Sequence, residues 1–381
     1  MHRIKRFVSQ MNGCKNNVNG NLKRYFSFKS QSEQILIEEC SNGNYLITLN
    51  RPKALNALTI EMIEALTPFY NEISKDKTPR VIVMKGSGDK SFCAGGDVVK
   101  IWKSVKDNKP LNETTYFFKI EYILDNILAT LPNHIHNVCL LNGITMGGGV
   151  GLSVHGRYRV GFENTLFAMP ETGIGFYTDV GGSYFLPRLK HNGLGMYLGL
   201  TGYRLKGIDN LYAGILTDYC DINNIDKLEQ ELLSITNPNE NVSNVISKHS
   251  IKSNNEFSLN KDLDNISKYF TMDNPTDMIN ALQNDAKNDD IFCQNTLKLL
   301  NKVSPTSIKV VHEALKNGLK LKTLKECLDM EYDIVSRFMS HNDFDEGIRA
   351  QLIDKDKNPK FNPSSLDHFN SIDISSFFPN I

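Results

Sequence analysis

The chain has 381 residues, 40% of them hydrophobic and 23% charged, an ordinary globular balance with length enough for about two domains. Its 43 Lys and Arg match its 43 Asp and Glu, so no basic excess points to nucleic acid. No apolar run approaches the roughly 18 residues that a membrane-spanning helix needs, which argues against a membrane protein.

The charge is unevenly placed. Arg3, Lys5, Arg6, Lys15, Lys23, Arg24 and Lys29 all precede the first acid, Glu33. Ile4, Phe7, Val8 and Met11 fall at helical spacing opposite Arg3, Arg6 and Gln10. This basic, acid-free, amphipathic start reads as a mitochondrial transit peptide over residues 1–32, and the mitochondrial matrix is the expected location. Arg24-Tyr25-Phe26-Ser27 resembles a cleavage neighbourhood. Setting that segment aside leaves an acidic remainder. The seven cysteines, Cys14, Cys40, Cys93, Cys139, Cys220, Cys293 and Cys327, are dispersed without a C-x-x-C pair, which suits free thiols and no metal site.

Two apolar runs, 35–38 and 45–49, flank Ser41-Asn42-Gly43-Asn44, a hairpin pattern. Thr59 then caps a helix whose face is Met62, Ile63, Leu66, Phe69, Tyr70 and Ile73, ending near Ser74. A buried strand over 81–84 leads into a Gly-rich loop through Gly96. A helix over 113–131, a strand over 138–141 and a second Gly-rich segment, 143–151, repeat the theme. Short strands over 159–162 and 166–169 lead to a loop at Pro170. Alternating strands and helices imply an α/β fold. Helices dominate after Gly207, with Gly214 closing one of them. Residues 236–262 are rich in Asn and Ser and read as a loop-rich insertion. Ser304-Pro305 opens the first of two helices reaching Phe338. The expected division is a catalytic core over 33–235, the insertion with linking helices over 236–288, a helical region over 289–365 and a tail over 366–381. There is no fixed-period repeat, Walker A motif or H-E-x-x-H.

Two segments hold most of the chemical information. Ser91-Phe92-Cys93-Ala94-Gly95-Gly96-Asp97 and Asn142-Gly143-Ile144-Thr145-Met146-Gly147-Gly148-Gly149-Val150-Gly151 each follow a strand and precede a helix. Glycine there lets backbone amides approach a ligand closely, at the positive end of a helix. The spacing is wrong for a dinucleotide fingerprint. Two amide donors from two loops suit a carbonyl that becomes an oxyanion, where losing one donor typically costs about 2.7–4 kcal/mol.

With these loops and Arg51-Pro52-Lys53-Ala54-Leu55-Asn56-Ala57-Leu58, the chain resembles the crotonase (enoyl-CoA hydratase) superfamily over residues 34–365. The resemblance implies a ββα spiral core with a C-terminal helical region and acyl-CoA substrates. The amides of Gly96 and Gly148 would hold the thioester oxygen. Hydratases of the family use two glutamates. One would fall at Gly151, which disfavours hydration; the other is Glu171 in Met169-Pro170-Glu171-Thr172. The stretch 167–189, Leu205-Lys206-Gly207 and the stretch 343–359 resemble the 3-hydroxyisobutyryl-CoA hydrolase branch. Tyr177-Thr178 stands where that branch has Phe-Pro, and Phe361 where it has Trp, departures that bear on substrate selection.

By that resemblance Glu171 is the catalytic carboxylate, acting as a general base on water or as a nucleophile that forms an anhydride. Asp179 is the second acid, orienting water or binding a 3-hydroxyl, and two acids in one pocket drive their pKa values apart. Glu121 faces the acyl pocket. Without the resemblance these three read as a loop acid, an N-cap and an exposed helix acid. His134, His136 and His155 receive no catalytic role, and Cys93 reads as an apolar filler. The expected reaction is hydrolysis of 3-hydroxyisobutyryl-CoA, a step of valine breakdown. No cofactor or metal is needed, CoA being part of the substrate. The expected partners are small acyl-CoA molecules, with room for a homo-oligomer. The competing readings are a lyase or isomerase of the same fold, and a non-catalytic structural subunit of a mitochondrial assembly.

Overall fold

The computed structural model describes residues 32–252 and 255–379. The transit-peptide reading of residues 1–32 falls almost wholly outside them. Among the described residues ten strands make two sheets. β1 (Ile35–Glu39) and β2 (Tyr45–Leu49) form the expected hairpin, with Gly43 at φ +83° in its turn. β3 (Arg80–Gly86), β5 (Ile135–Leu141), β7 (Tyr158–Gly161) and β10 (Asp218–Tyr219) extend it in parallel, giving the order β1-β2-β3-β5-β7-β10. The shorter sheet runs β4 (Ser91–Cys93), β6 (Ile144–Met146), β8 (Leu166–Ala168) and β9 (Leu205–Lys206). Successive strands thus go to alternate sheets: β3 then β4, β5 then β6, β7 then β8. That is the spiral of ββα units implied by the resemblance.

α1 (Ile60–Ile73) begins where Thr59 Oγ1 accepts the Met62 amide, as its N-cap position predicts. α2 (Val98–Lys106) leaves the first glycine loop. The single helix expected over 113–131 is instead α3 (Leu111–Thr114) and α4 (Tyr116–Ala129), divided at Thr115. α5 (Gly148–Val154) leaves the second loop. α6 (Gly182–Phe185), α7 (Leu194–Thr201) and α8 (Asp209–Ala213) follow, the last closed by Gly214 at φ +87°.

The six-stranded sheet is buried on both faces, as parallel sheets are. Ile82, Met84, Cys139 and Leu141 point to the main core. Their neighbours Val81, Val83, Val138 and Leu140 point the other way, by the period-two alternation of strands. α9 (Ile225–Leu233) and α10 (Pro238–His249) cover that second face with Leu228, Leu232, Val242 and Ile246. This corrects the loop-rich reading of residues 236–262 over 238–249, because a bare apolar sheet face outweighs the turn preference of Asn and Ser; residues 255–259 are loop and turn.

The remaining helices are α11 (Leu263–Phe270), α12 (Pro275–Lys287), α13 (Ile291–Leu300), α14 (Pro305–Lys320), α15 (Leu324–Phe338) and α16 (Asn342–Ile348). Ser304 caps α14 as expected, accepting the Ser307 amide. The segment expected as a tail is packed down by Leu366, Phe369 and Phe377. No helix among the described residues is long and apolar enough to cross a membrane.

Candidate active site

Gly96, Gly148, Glu121, Glu171 and Asp179 all line one cavity of about 540 Å³. The two glycine loops meet there. A Cβ built on Gly148 would lie 3.4 Å from the Gly96 nitrogen, and one on Gly147 would lie 3.4 Å from the Gly95 Cα. Among the described residues neither the Gly96 nor the Gly148 amide donates to a carbonyl of the protein. Gly148 is the first residue of α5, where helix amides have no internal acceptor. The early motif holds the first loop in place. Ala94 donates to the Leu55 carbonyl and Leu58 to the Gly95 carbonyl, while Arg51 pairs with Asp97 at 3.0 Å.

Three carboxylates surround these amides. Glu171 opens a 3-10 turn, Glu171–Ile174, and its Oε1 lies 3.1 Å from where a Gly147 Cβ would stand. Its Oε2 has no partner among the described residues. Glu121 projects from α4, only 2% exposed, with Oε1 pressed against Gly148 and likewise unpartnered. Asp179 lies in the loop before α6, its Oδ2 2.9 Å from the Tyr122 hydroxyl. Its side chain does not cap α6. Glu121 is therefore no exposed helix acid, and Asp179 is no N-cap.

Burial raises the pKa of all three. Glu171 is held well above the usual carboxylate range by burial and then by the charge of Asp179. Glu121 is raised by burial, then by Asp125, Asp179 and Glu171. Asp179 is pushed up to about 7 by burial, against the pull of the Tyr122 bond and its own backbone amide.

Two acids escaped the reading of the sequence. Asp125 is fully buried one turn after Glu121, with both oxygens unpartnered, and is raised by burial, Asp179 and Glu331. A Cβ added to Gly151 would meet its oxygens at 2.8 and 2.9 Å, so a carboxylate from α4 fills the space beside this glycine. The spacing of Glu121 and Asp125, one helical turn, was the available signal. Glu331 on α15 is the other. It accepts from the amides of Gly181 (2.8 Å) and Ser183 (3.0 Å) and from the Ser183 hydroxyl (2.6 Å). It thereby clasps the loop that presents Asp179. Burial raises it to about 8 despite those donors. Nothing in the sequence near Glu331 announced this.

The same loop is strained. Val180 has φ +51°, an outlier for a β-branched residue that persists only when surroundings enforce it. His155 Nε2 meets the Val180 carbonyl at 2.8 Å. Since burial lowers its pKa to about 4, the ring is neutral and Nε2–H donates. His134 and His136 bond elsewhere, to the Asp76 carbonyl and Asn239. The Cys93 thiol is buried and pushed up to about 12, so it is a packing group.

Arg204, Lys302 and Lys357 line the outer cavity, three cations where a phosphate-bearing ligand would enter. The geometry suits a carbonyl held by two amides, a carboxylate beside it and an anionic handle reaching outward.

Residues 45–378 match the family described as enoyl-CoA hydratase/isomerase. A Dictyostelium discoideum protein named 3-hydroxyisobutyryl-CoA hydrolase, mitochondrial, is 43% identical, covering 95% of each chain. A Homo sapiens protein of the same name is 42% identical, over 92% of this chain and 89% of its own. Among solved structures, a carnitinyl-CoA dehydratase from Mycobacterium thermoresistibile superposes with a TM-score of 0.82 at 32% identity, covering 92% of this chain and 97% of its own. An enoyl-CoA hydratase from Rhodobacter sphaeroides gives 0.80 at 28% identity, over 91% and 97%.

Proposed function

The chain belongs to the enoyl-CoA hydratase/isomerase (crotonase) family, and from that premise we propose that it hydrolyses 3-hydroxyisobutyryl-CoA to 3-hydroxyisobutyrate and CoA. The observation that supports this most is the meeting of two free amides with the buried Glu171, at a site where Gly151 offers no second glutamate. The names of the two curated relatives support the same substrate; the place in valine breakdown belongs to the proposal alone. Their mitochondrial naming supports a mitochondrial location, and the matrix expected from the basic start stays part of the proposal.

The thioester oxygen sits between the Gly96 and Gly148 amides, which stabilise the charge that grows as the carbonyl carbon is attacked. Glu171 acts at that carbon by one of two routes. It removes a proton from water as the water oxygen attacks, or its own oxygen attacks and forms an anhydride that water then cleaves. In both the C–S bond breaks and the CoA sulfur takes a proton. The raised pKa of Glu171 makes its carboxylate a stronger base than a solvated one. Arg204, Lys302 and Lys357 meet the phosphates of CoA. No metal or prosthetic group enters these steps.

The test is free-thiol release across short acyl-CoAs with and without a 3-hydroxyl, run beside hydration of crotonyl-CoA. The 3-hydroxy thioester is expected to turn over fastest, with no hydration. Hydration of crotonyl-CoA without thiol release would overturn the proposal.

A further inference from the structure

Tyr122, Tyr177 and Asp179 form a line of buried oxygens whose protons can be counted. Tyr122 Oη lies 2.9 Å from Asp179 Oδ2 and 3.0 Å from Tyr177 Oη. The Tyr177 hydroxyl donates to the main-chain carbonyl of Glu331. A carbonyl oxygen only accepts, and each phenol has one proton. The Tyr177 proton is therefore committed to Glu331. The contact between the two phenols must then use the proton of Tyr122. None remains for the contact with Asp179 unless the carboxyl supplies its own. Three hydrogen bonds need three protons, and two tyrosines hold two.

We propose that Tyr122 and Tyr177 are positioning residues that hold Asp179 as a neutral carboxylic acid in the resting site. The chain of donors runs one way: Asp179 to Tyr122, Tyr122 to Tyr177, Tyr177 to the Glu331 carbonyl. Its direction is set at the far end, by a backbone oxygen that cannot reverse. The surroundings favour the same state. Glu121 and Asp125 face Asp179 from α4, Glu171 from its turn and Glu331 from α15, while His155 stands behind it, neutral, on the Val180 carbonyl. Any negative charge among the four acids opposes a further one on Asp179. Burial, which pushes Asp179 up to about 7, agrees with the count.

The use of the stored proton rests on the thioesterase reading. As the C–S bond breaks and its electron pair goes to sulfur, the Asp179 O–H bond breaks and an S–H bond forms. Asp179 is left a carboxylate. The Tyr122 hydroxyl then turns to donate to it and gives up its bond to Tyr177. On the general-base route the proton that Glu171 took from water passes to Asp179; on the anhydride route Asp179 takes it from the water that cleaves the anhydride, and either restores the starting charge. Asp179 is thus primed by a hydroxyl on residue 177, where the resembling branch has Phe.

Tyr177→Phe removes the acceptor of the Tyr122 proton. Tyr122 is then free to donate to an ionised Asp179, which stabilises the carboxylate. The Asp179 titration should fall by about one pH unit, the size of one hydrogen bond. The infrared carbonyl band of a protonated carboxylic acid, isolated as wild type minus Asp179→Asn in unliganded protein, should be present at pH 6 and titrate near 7. In Tyr177→Phe it should titrate about one unit lower, and the alkaline limb of kcat against pH should move with it. Absence of the band from wild type at pH 6 overturns the proposal, as does titration at the same pH in both proteins. A purely structural tyrosine would lower stability and leave both titrations in place. The wild-type band needs no variant to fold. It needs no substrate either, so failure of the relay and failure of the thioesterase reading are separate results.

Discussion

Glu171 combines three properties that a solvent-facing carboxylate lacks: burial, an unpartnered oxygen and a neighbour, Asp179, that opposes its charge. Glu171→Gln keeps the shape and removes the base, and kcat is expected to drop by about 10²–10⁴-fold. Near-normal thiol release by a folded Glu171→Gln protein would remove this residue from the mechanism. The two routes differ in one atom. After a single turnover in heavy-oxygen water, followed by peptide mass spectrometry, a label in Glu171 marks the anhydride route with water attacking the glutamyl carbon, whereas the general-base route leaves Glu171 unlabelled. At this scale the glycines, Glu171 and Asp179 were legible because each sits in a motif. Asp125, Glu331 and the Tyr177 hydroxyl were not. Their importance comes from burial and from partners far along the chain, such as Ser183 with Glu331, and no local pattern encodes those.

The element that presents Glu171 is a short turn fixed from behind. Thr172 accepts the Ser304 amide at 3.0 Å and donates its hydroxyl to Leu200 at 3.2 Å. Ser304 donates in turn to Asp343 at 2.6 Å. Gly175 closes the turn at φ +65°, where a Cβ would lie 1.8 Å from the Asp343 carbonyl oxygen. Gly175→Ala is expected to destabilise by more than about 1 kcal/mol, since the backbone cannot suit alanine and α16 must retreat. Thermal unfolding and kcat should fall together, because the same shift moves Glu171. An unchanged midpoint would show that α16 yields easily. Several helices were readable from caps and periodicity, with Thr59 and Ser304 placed correctly. α10 was not, although Val242, Val245, Ile246 and His249 have helical spacing, because Asn and Ser dilute it.

Across the whole molecule the buried acids link stability to pH. Glu331 rises from 4.5 to about 8 and Asp179 from 3.8 to about 7 on folding. Between those values the folded state holds protons that the unfolded chain has released. Their contribution to stability is full below about pH 4 and is lost as pH rises through 7 and 8. Urea midpoints should therefore decline across that window. Glu331→Gln should lower the midpoint throughout, since its amide group faces the Gly181 or Ser183 donor, yet flatten the slope. An undiminished slope would show that Glu331 is ionised in the folded protein. The α/β class was plain from the order of strands and helices. The alternation between two sheets was not, because strands of three residues such as β4 and β6 leave little trace in composition.

The bracing of Glu171 from Ser304 and Asp343 has a consequence for biogenesis. A polypeptide emerging from the ribosome, or threading through a pore amino end first, displays both glycine loops and the peptide that bears Glu171 well before their support arrives. Competence must wait for nearly the last stretch to be delivered, so a premature stop shortly before residue 343 would yield a null allele although every reacting group had been translated.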